Sequence, residues 1–215
     1  QAALAAFDAW LQRAPGDHDA VLDHALALHQ LGDTAAAIDA YRGVVAALPG
    51  HAFGWYCLGA ALNEAGDPDG ARAALERALA LDPRDADAWA ELAALHEFDN
   101  RLDAAADAVA RGSALAPGHP RLLLEAARVD RRTGRAVEAE ATLARLDPLQ
   151  LPPRARAGYW FERGRVLDLL GETAPTTAFE ALNLVISMFI ALGWPANSAT
   201  CTLDYIATRL MEAGN

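Results

Sequence analysis

Not one lysine occurs in the 215 residues; all 18 basic side chains are arginine, set against 29 acids. The missing lysine excludes a Walker-type phosphate loop, and no GxSxG or GxGxxG stretch takes its place. It reads as a coding bias rather than a function. The formal net charge of −11 denies the chain the basic footprint that general nucleic-acid binding needs. Cysteine is nearly absent. Cys57 and Cys201 lie far apart and form no CxxC, so no disulfide framework is expected and a reducing, cytoplasmic compartment suits the chain. The run Leu182 to Leu192, almost wholly apolar, falls short of the about 18 residues a membrane span requires. Histidines are scattered, and His24 and His29 are five apart rather than the four that would bring two ligands onto one helical face. No metal, no cofactor and no catalytic residue is expected, and the chain is read as a non-enzyme. It opens on Gln1 rather than Met, which predicts a fragment or a processed form.

What is present is alanine, about a quarter of the chain, which favours helix throughout. Between Ala52 and Asp85 the spacing is most regular. Trp55, Leu58 and Leu62 recur at three and four residues, so they share one helical face. Gly59 and Ala71 let two helices approach closely. Gly66-Asp67-Pro68 breaks the chain between those helices, and Asp82-Pro83 ends the second. The pattern returns about every 34 residues. Val21, His24-Ala25 and Leu28 precede Gly32-Asp33 in one copy. Trp89, Leu92-Ala93 and His96 precede Asn100 in another, and Leu123, Ala126-Ala127 and Asp130 precede Gly134 in a third. Trp160, Arg163-Gly164, Leu167 and Gly171 begin a fifth. A unit this short cannot bury its apolar face alone, so neighbours must stack.

The Trp55, Leu58-Gly59, Leu62, Ala71, Leu75, Ala78 and Pro83 series resembles the tetratricopeptide repeat (TPR), whose period is about 34 residues. The resemblance implies an all-α fold: antiparallel helix pairs in a right-handed superhelical TPR solenoid of about four to five repeats, over residues 1–172. The expected division is a half repeat at 1–17, then 18–51, 52–85, 86–119 and 120–153, and the start of a degenerate repeat at 154–172. Residues 173–215 change character. Arginine falls to Arg209, and three of the four isoleucines and both methionines gather there. A capping hairpin, a docking or self-association helix within 182–213, and a foreign tail all fit that segment. A second resemblance, of Leu151 to Asn183 to the repeat region of bacterial TPR–sulfotransferase fusions, rests on Phe161-Glu162-Arg163-Gly164-Arg165 and Leu167 to Gly171. It would make the chain the non-catalytic part of a larger enzyme, because no glycine- and serine-rich donor loop is present.

TPR arrays usually bind peptides in a concave groove lined by each first helix. Positions flanking the core face assign that groove to Leu22 and His29, then Phe53, Tyr56 and Asn63, then Arg121, Arg128, Arg131, Arg132 and Arg165. Phe53 and Tyr56 are candidate anchors for an apolar side chain. The arginines offer paired donors to an acidic group, with local salt bridges to Glu125 and Asp168 as the plainer reading. Charge is uneven in the same sense: 10 Arg face 7 acids over 120–170, whereas 7 Arg face 18 acids over 1–119. The carboxylate clamp of chaperone-binding TPR domains is not expected, since Leu22, Leu26, Cys57, Asp87 and Glu91 stand at its places. The leading expectation is therefore an interaction scaffold for a protein or peptide partner. The alternatives are an accessory region of a sulfotransferase and a structural oligomer built through the C-terminal segment.

Overall fold

Four times, at 34-residue intervals, the backbone turns into the left-handed region: at Gly32 (φ 86°), Gly66 (81°), Asn100 (57°) and Gly134 (81°). Each marks the end of a first helix. The computed structural model describes residues 17–171. The calls on residues 1–16 and 173–215, most of the half repeat and the atypical tail, lie outside the described residues. Among the described residues there are nine α-helices and no strand. First helices are α1 (His18–Gln30), α3 (Ala52–Glu64), α5 (Ala86–Phe98) and α7 (Pro120–Arg132). Second helices are α2 (Thr34–Ala47), α4 (Pro68–Leu81), α6 (Leu102–Leu115) and α8 (Ala136–Leu143). A 3₁₀ turn at Pro148–Gln150 leads to α9 (Pro153–Leu170).

The inner turn is one device used four times. At the first, Gly32 N–H donates to the His29 carbonyl (3.0 Å) and Asp33 N–H to the Leu28 carbonyl (3.0 Å). This Schellman pair satisfies carbonyls that the helix end would leave open. The same pairs recur from Gly66 and Asp67, Asn100 and Arg101, and Gly134 and Arg135. The residue after the turn then starts the second helix. Asp33 and Asp67 accept from Ala36 and Gly70 N–H (3.2 and 3.0 Å), so one aspartate closes a helix with its backbone and opens the next with its side chain. Arg101 and Arg135 do only the first of these, because a guanidinium has no acceptor to offer.

The chain divides into two compact units between Pro117 and Gly118. In the first, α1 to α6 close on a core rich in alanine. Ala25, Ala37, Ala61, Ala71 and Ala88 have no exposed surface, and Tyr41 and Leu75 are equally buried. Small residues bring α3 and α4 together. A Cβ on Gly59 would stand 2.8 Å from Leu75 Cγ and 3.2 Å from the Ala71 carbonyl. Leu58 and Leu62 are buried as their spacing predicts, while Trp55 packs on the core from its edge. Its indole donates to the Pro49 carbonyl (3.0 Å), and Trp89 repeats the bond to Pro83 (2.9 Å). Each tryptophan thus ties its helix to the preceding loop. In the second unit, Leu123, Leu124, Leu143, Leu146 and Val166 make a core of larger side chains.

Helix α9 departs from the expected register. Reading the repeat motif from Trp160 puts Trp160 and Leu167 on the buried face. Instead Tyr159, Glu162 and Val166 are buried, and Trp160 and Leu167 are half-buried. The helix runs for 18 residues against 13 in each other first helix, and its closing Gly171 (φ 69°) comes late. The 3₁₀ turn lengthens the approach, and burial of Glu162 against two arginines sets the rotation.

Candidate functional site

Phe53, in the first turn of α3, is 47% exposed. Its ring stacks on Tyr56 one turn later, with centroids 6.0 Å apart and planes inclined by 26°. Tyr56 is half-buried and packs against the core, so it holds Phe53 outward on a fixed platform. An exposed aromatic fixed in this way loses little side-chain entropy when something packs on it.

The other candidates in the first unit form a lateral ladder between first helices. His29 Nε2 and Glu64 Oε2 are 2.8 Å apart, linking α1 to α3. Asn63 Nδ2 donates to Glu91 Oε1 (2.9 Å), linking α3 to α5. His29 also meets Tyr41 edge to face at 6.2 Å. Leu22, expected on the open face, is instead 7% exposed, because the rotation of α1 packs it into the core of the first unit. Cys57, adjacent to Tyr56, is buried, and burial, with Asp85 adding to it, pushes its thiol up to about 12. A thiol held neutral in this way fills space and is no nucleophile.

In the second unit the arginines are committed. Glu162 on α9 is 3% exposed and accepts from Arg131 Nε (2.8 Å) and Arg128 Nε (3.2 Å), both on α7. Arg128 also donates to Glu125 at 2.8 Å. Arg131, expected to face a partner, is 9% exposed, because pairing inside this triad is what makes its burial affordable. Arg121 and Arg132 are half-buried. Arg165 is exposed, its guanidinium 5.6 Å from the Phe161 ring centroid. An acidic partner would have to displace Glu162 to reach Arg128 or Arg131. The acceptors Glu64, Glu91 and Glu162 were not anticipated. Their signal was a carboxylate on one first helix about a repeat away from a donor on its neighbour.

Among the described residues no group of three His, Cys, Asp or Glu is placed to hold a metal ion. No described helix is long and apolar enough to cross a membrane.

Two family profiles, both described as tetratricopeptide repeat, match residues 1–52 and 52–95. No curated protein matches. Among solved structures, a tetratricopeptide repeat protein from Parabacteroides merdae ATCC 43184 is similar at TM-score 0.71 and 18% identity, covering 100% of this chain and 78% of its own. The Cut9–Hcn1 hetero-tetramer of APC/C is similar at TM-score 0.79 and 18% identity, covering 97% of this chain and 42% of the other. YrrB, described as a TPR protein with an unusual peptide-binding site, is similar at TM-score 0.59 and 17% identity, covering 85% and 92%. The helix pairs, the recurrent turn and these matches agree: residues 1–95 match tetratricopeptide repeats, and the chain has the all-α fold of a tetratricopeptide repeat array.

Proposed function

We propose that the chain is a non-enzymatic interaction scaffold that holds a peptide or protein partner against its first-helix face. The observation that carries the reading is the Phe53–Tyr56 stack, an exposed aromatic on a packed support. The bonds His29–Glu64 and Asn63–Glu91 on neighbouring first helices would frame a partner's apolar side chain with polar groups. Likeness to YrrB, whose description names a peptide-binding site, supports the same reading. The face works by shape and desolvation, so it needs no reactive group.

A photoreactive phenylalanine analogue at position 53 tests this in extracts of the source organism. The expected result is a discrete cross-linked partner, absent when the analogue sits at the exposed position 110 on α6. Phe53→Ala should weaken capture of that partner about tenfold or more without lowering helical content. Equal cross-linking from both positions, or full capture by Phe53→Ala, would reject the face. Phe53→Ala is the cleaner probe, because Tyr56→Ala also removes core contact.

A further inference from the structure

The first unit carries a groove of about 560 Å³ that shares no lining residue with the Phe53–Tyr56 face. Second helices α4 and α6 wall it, and Trp89, Leu92 and His96 of α5 line it between them. His96 is the unexpected member. It is 7% exposed, and its Nδ1 is buried with no hydrogen-bond partner. A buried polar atom left unpaired costs about 1–3 kcal/mol, and such groups call for an explanation.

The preceding repeat shows that the fold does not require it. The residue 34 positions earlier is Leu62, a core residue 6% exposed. Two other groove positions differ as well: Glu76 reverses the charge of the preceding repeat's Arg42, and Asp107 stands where that repeat has Ala73. The frame is unchanged, since Trp55 and Trp89 make the same bond to a proline carbonyl. Two apolar-to-polar replacements and one charge reversal therefore converge on one groove over an otherwise repeated scaffold. Glu76 and Asp107 are exposed on opposite walls, and the lining Arg111 holds its guanidinium over one part of the Trp89 ring, 5.8 Å from its centroid, so the two carboxylates outnumber the one cation of the lining. They sit in a unit with 17 acids against 6 Arg over residues 17–117. A volume of this size lies within the about 300–1,000 Å³ typical of ligand pockets.

We propose that this groove binds a basic peptide. One apolar side chain of the peptide packs on Leu79, Trp89 and Leu92, a polar group bonds to His96, and flanking lysines or arginines meet Glu76 and Asp107. Burial, with Arg101 and Arg72 acting in the same sense, holds the imidazole below its ordinary range. It is therefore neutral near pH 7 and offers its ring nitrogens as one donor and one acceptor.

The test titrates the full chain with two synthetic peptides that share a central phenylalanine and differ only in flanking arginines or glutamates. The arginine peptide should bind and shift the Trp89 indole resonance, and the glutamate peptide should bind at least about tenfold more weakly. His96→Leu restores the preceding repeat's residue, so it should melt no lower than the parent while binding the arginine peptide about tenfold more weakly. The exposed pair Glu76→Arg with Asp107→Ala should abolish the preference between peptides, and Phe53→Ala should change nothing. The proposal fails if both peptides bind equally, if neither moves the Trp89 resonance, or if His96→Leu binds as the parent does. It also fails if Phe53→Ala removes the binding, which would return the peptide to the first-helix face.

Discussion

The two units build the same helix pair by different means. In 17–117 the helices close on alanines, and Asp17, Asp33, His51, Asp67 and Asp85 cap five of the six. In 118–171 the core is leucine, no α-helix has a side-chain cap, and a carboxylate is buried between two arginines. The first unit is held by many small contributions spread along the chain. The second concentrates its specificity in one ion triad. A 34-residue period thus constrains where helices start and stop but leaves open what glues them.

The triad gives the sharpest test of this contrast. Glu162→Ala leaves Arg131 buried without its acceptor and should cost about 3–5 kcal/mol. Hydrogen exchange should show 118–171 losing protection while 17–117 keeps it. A loss under about 1 kcal/mol would mean that Arg131 finds water readily, and the contrast would collapse.

Next in size is the close approach in the first unit. Gly59→Ala forces a methyl against Leu75, which is fully buried and cannot swing away. A net loss of about 1–3 kcal/mol by urea denaturation is expected, despite alanine's better helix propensity. A stabilised variant would show that the helices can separate without cost.

Caps should transfer between repeats. Asp67→Ala should lose about 1 kcal/mol. Arg101→Asp supplies at the next inner turn the acceptor that the preceding two have, and should gain up to about the same amount. Thermal melts of the two variants should move in opposite directions.

The smallest effect is on pH dependence. His96 has a folded pKa below its ordinary 6.5. Its contribution is fully present above pH 6.5 and is lost as pH falls toward the folded value, because the unfolded chain takes the proton first. Arg72 and Glu76 of α4 and Arg101 and Asp99 beyond α5 set the local field, with Asp107 and Arg111 of α6 across the groove. The parent should therefore lose melting temperature below pH 6.5 more steeply than His96→Leu. Equal slopes would place the imidazole in contact with solvent.

Much of the fold was legible before any coordinates. The glycines at 32, 66 and 134 marked the inner turns, and even Asn100 was read as a turn from its place in the period. Asparagine tolerates the left-handed region, so it could stand in for glycine. The candidate face was legible only in part. Phe53 is exposed as its position implied, but Leu22 is core and Arg131 is buried. A one-residue rotation of a helix moves a side chain from groove to core, and a periodic pattern with this much alanine does not resolve that rotation. The register of α9 was missed for the same reason: Trp160 was the more prominent residue, but Glu162 had two arginines to meet.

Local chemistry along the chain by itself determined the period, the turns and the class of fold. Helix starts and stops depend on caps, left-handed residues and prolines acting within a few positions of one another. The tertiary structure alone decided which charges are spent internally and which surfaces remain. Glu162, the acceptor that Arg128 and Arg131 share, and Glu64, the partner of His29, lie on helices about a repeat away. Such pairings depend on how neighbouring helices rotate as their cores close, and no spacing within one helix encodes that rotation.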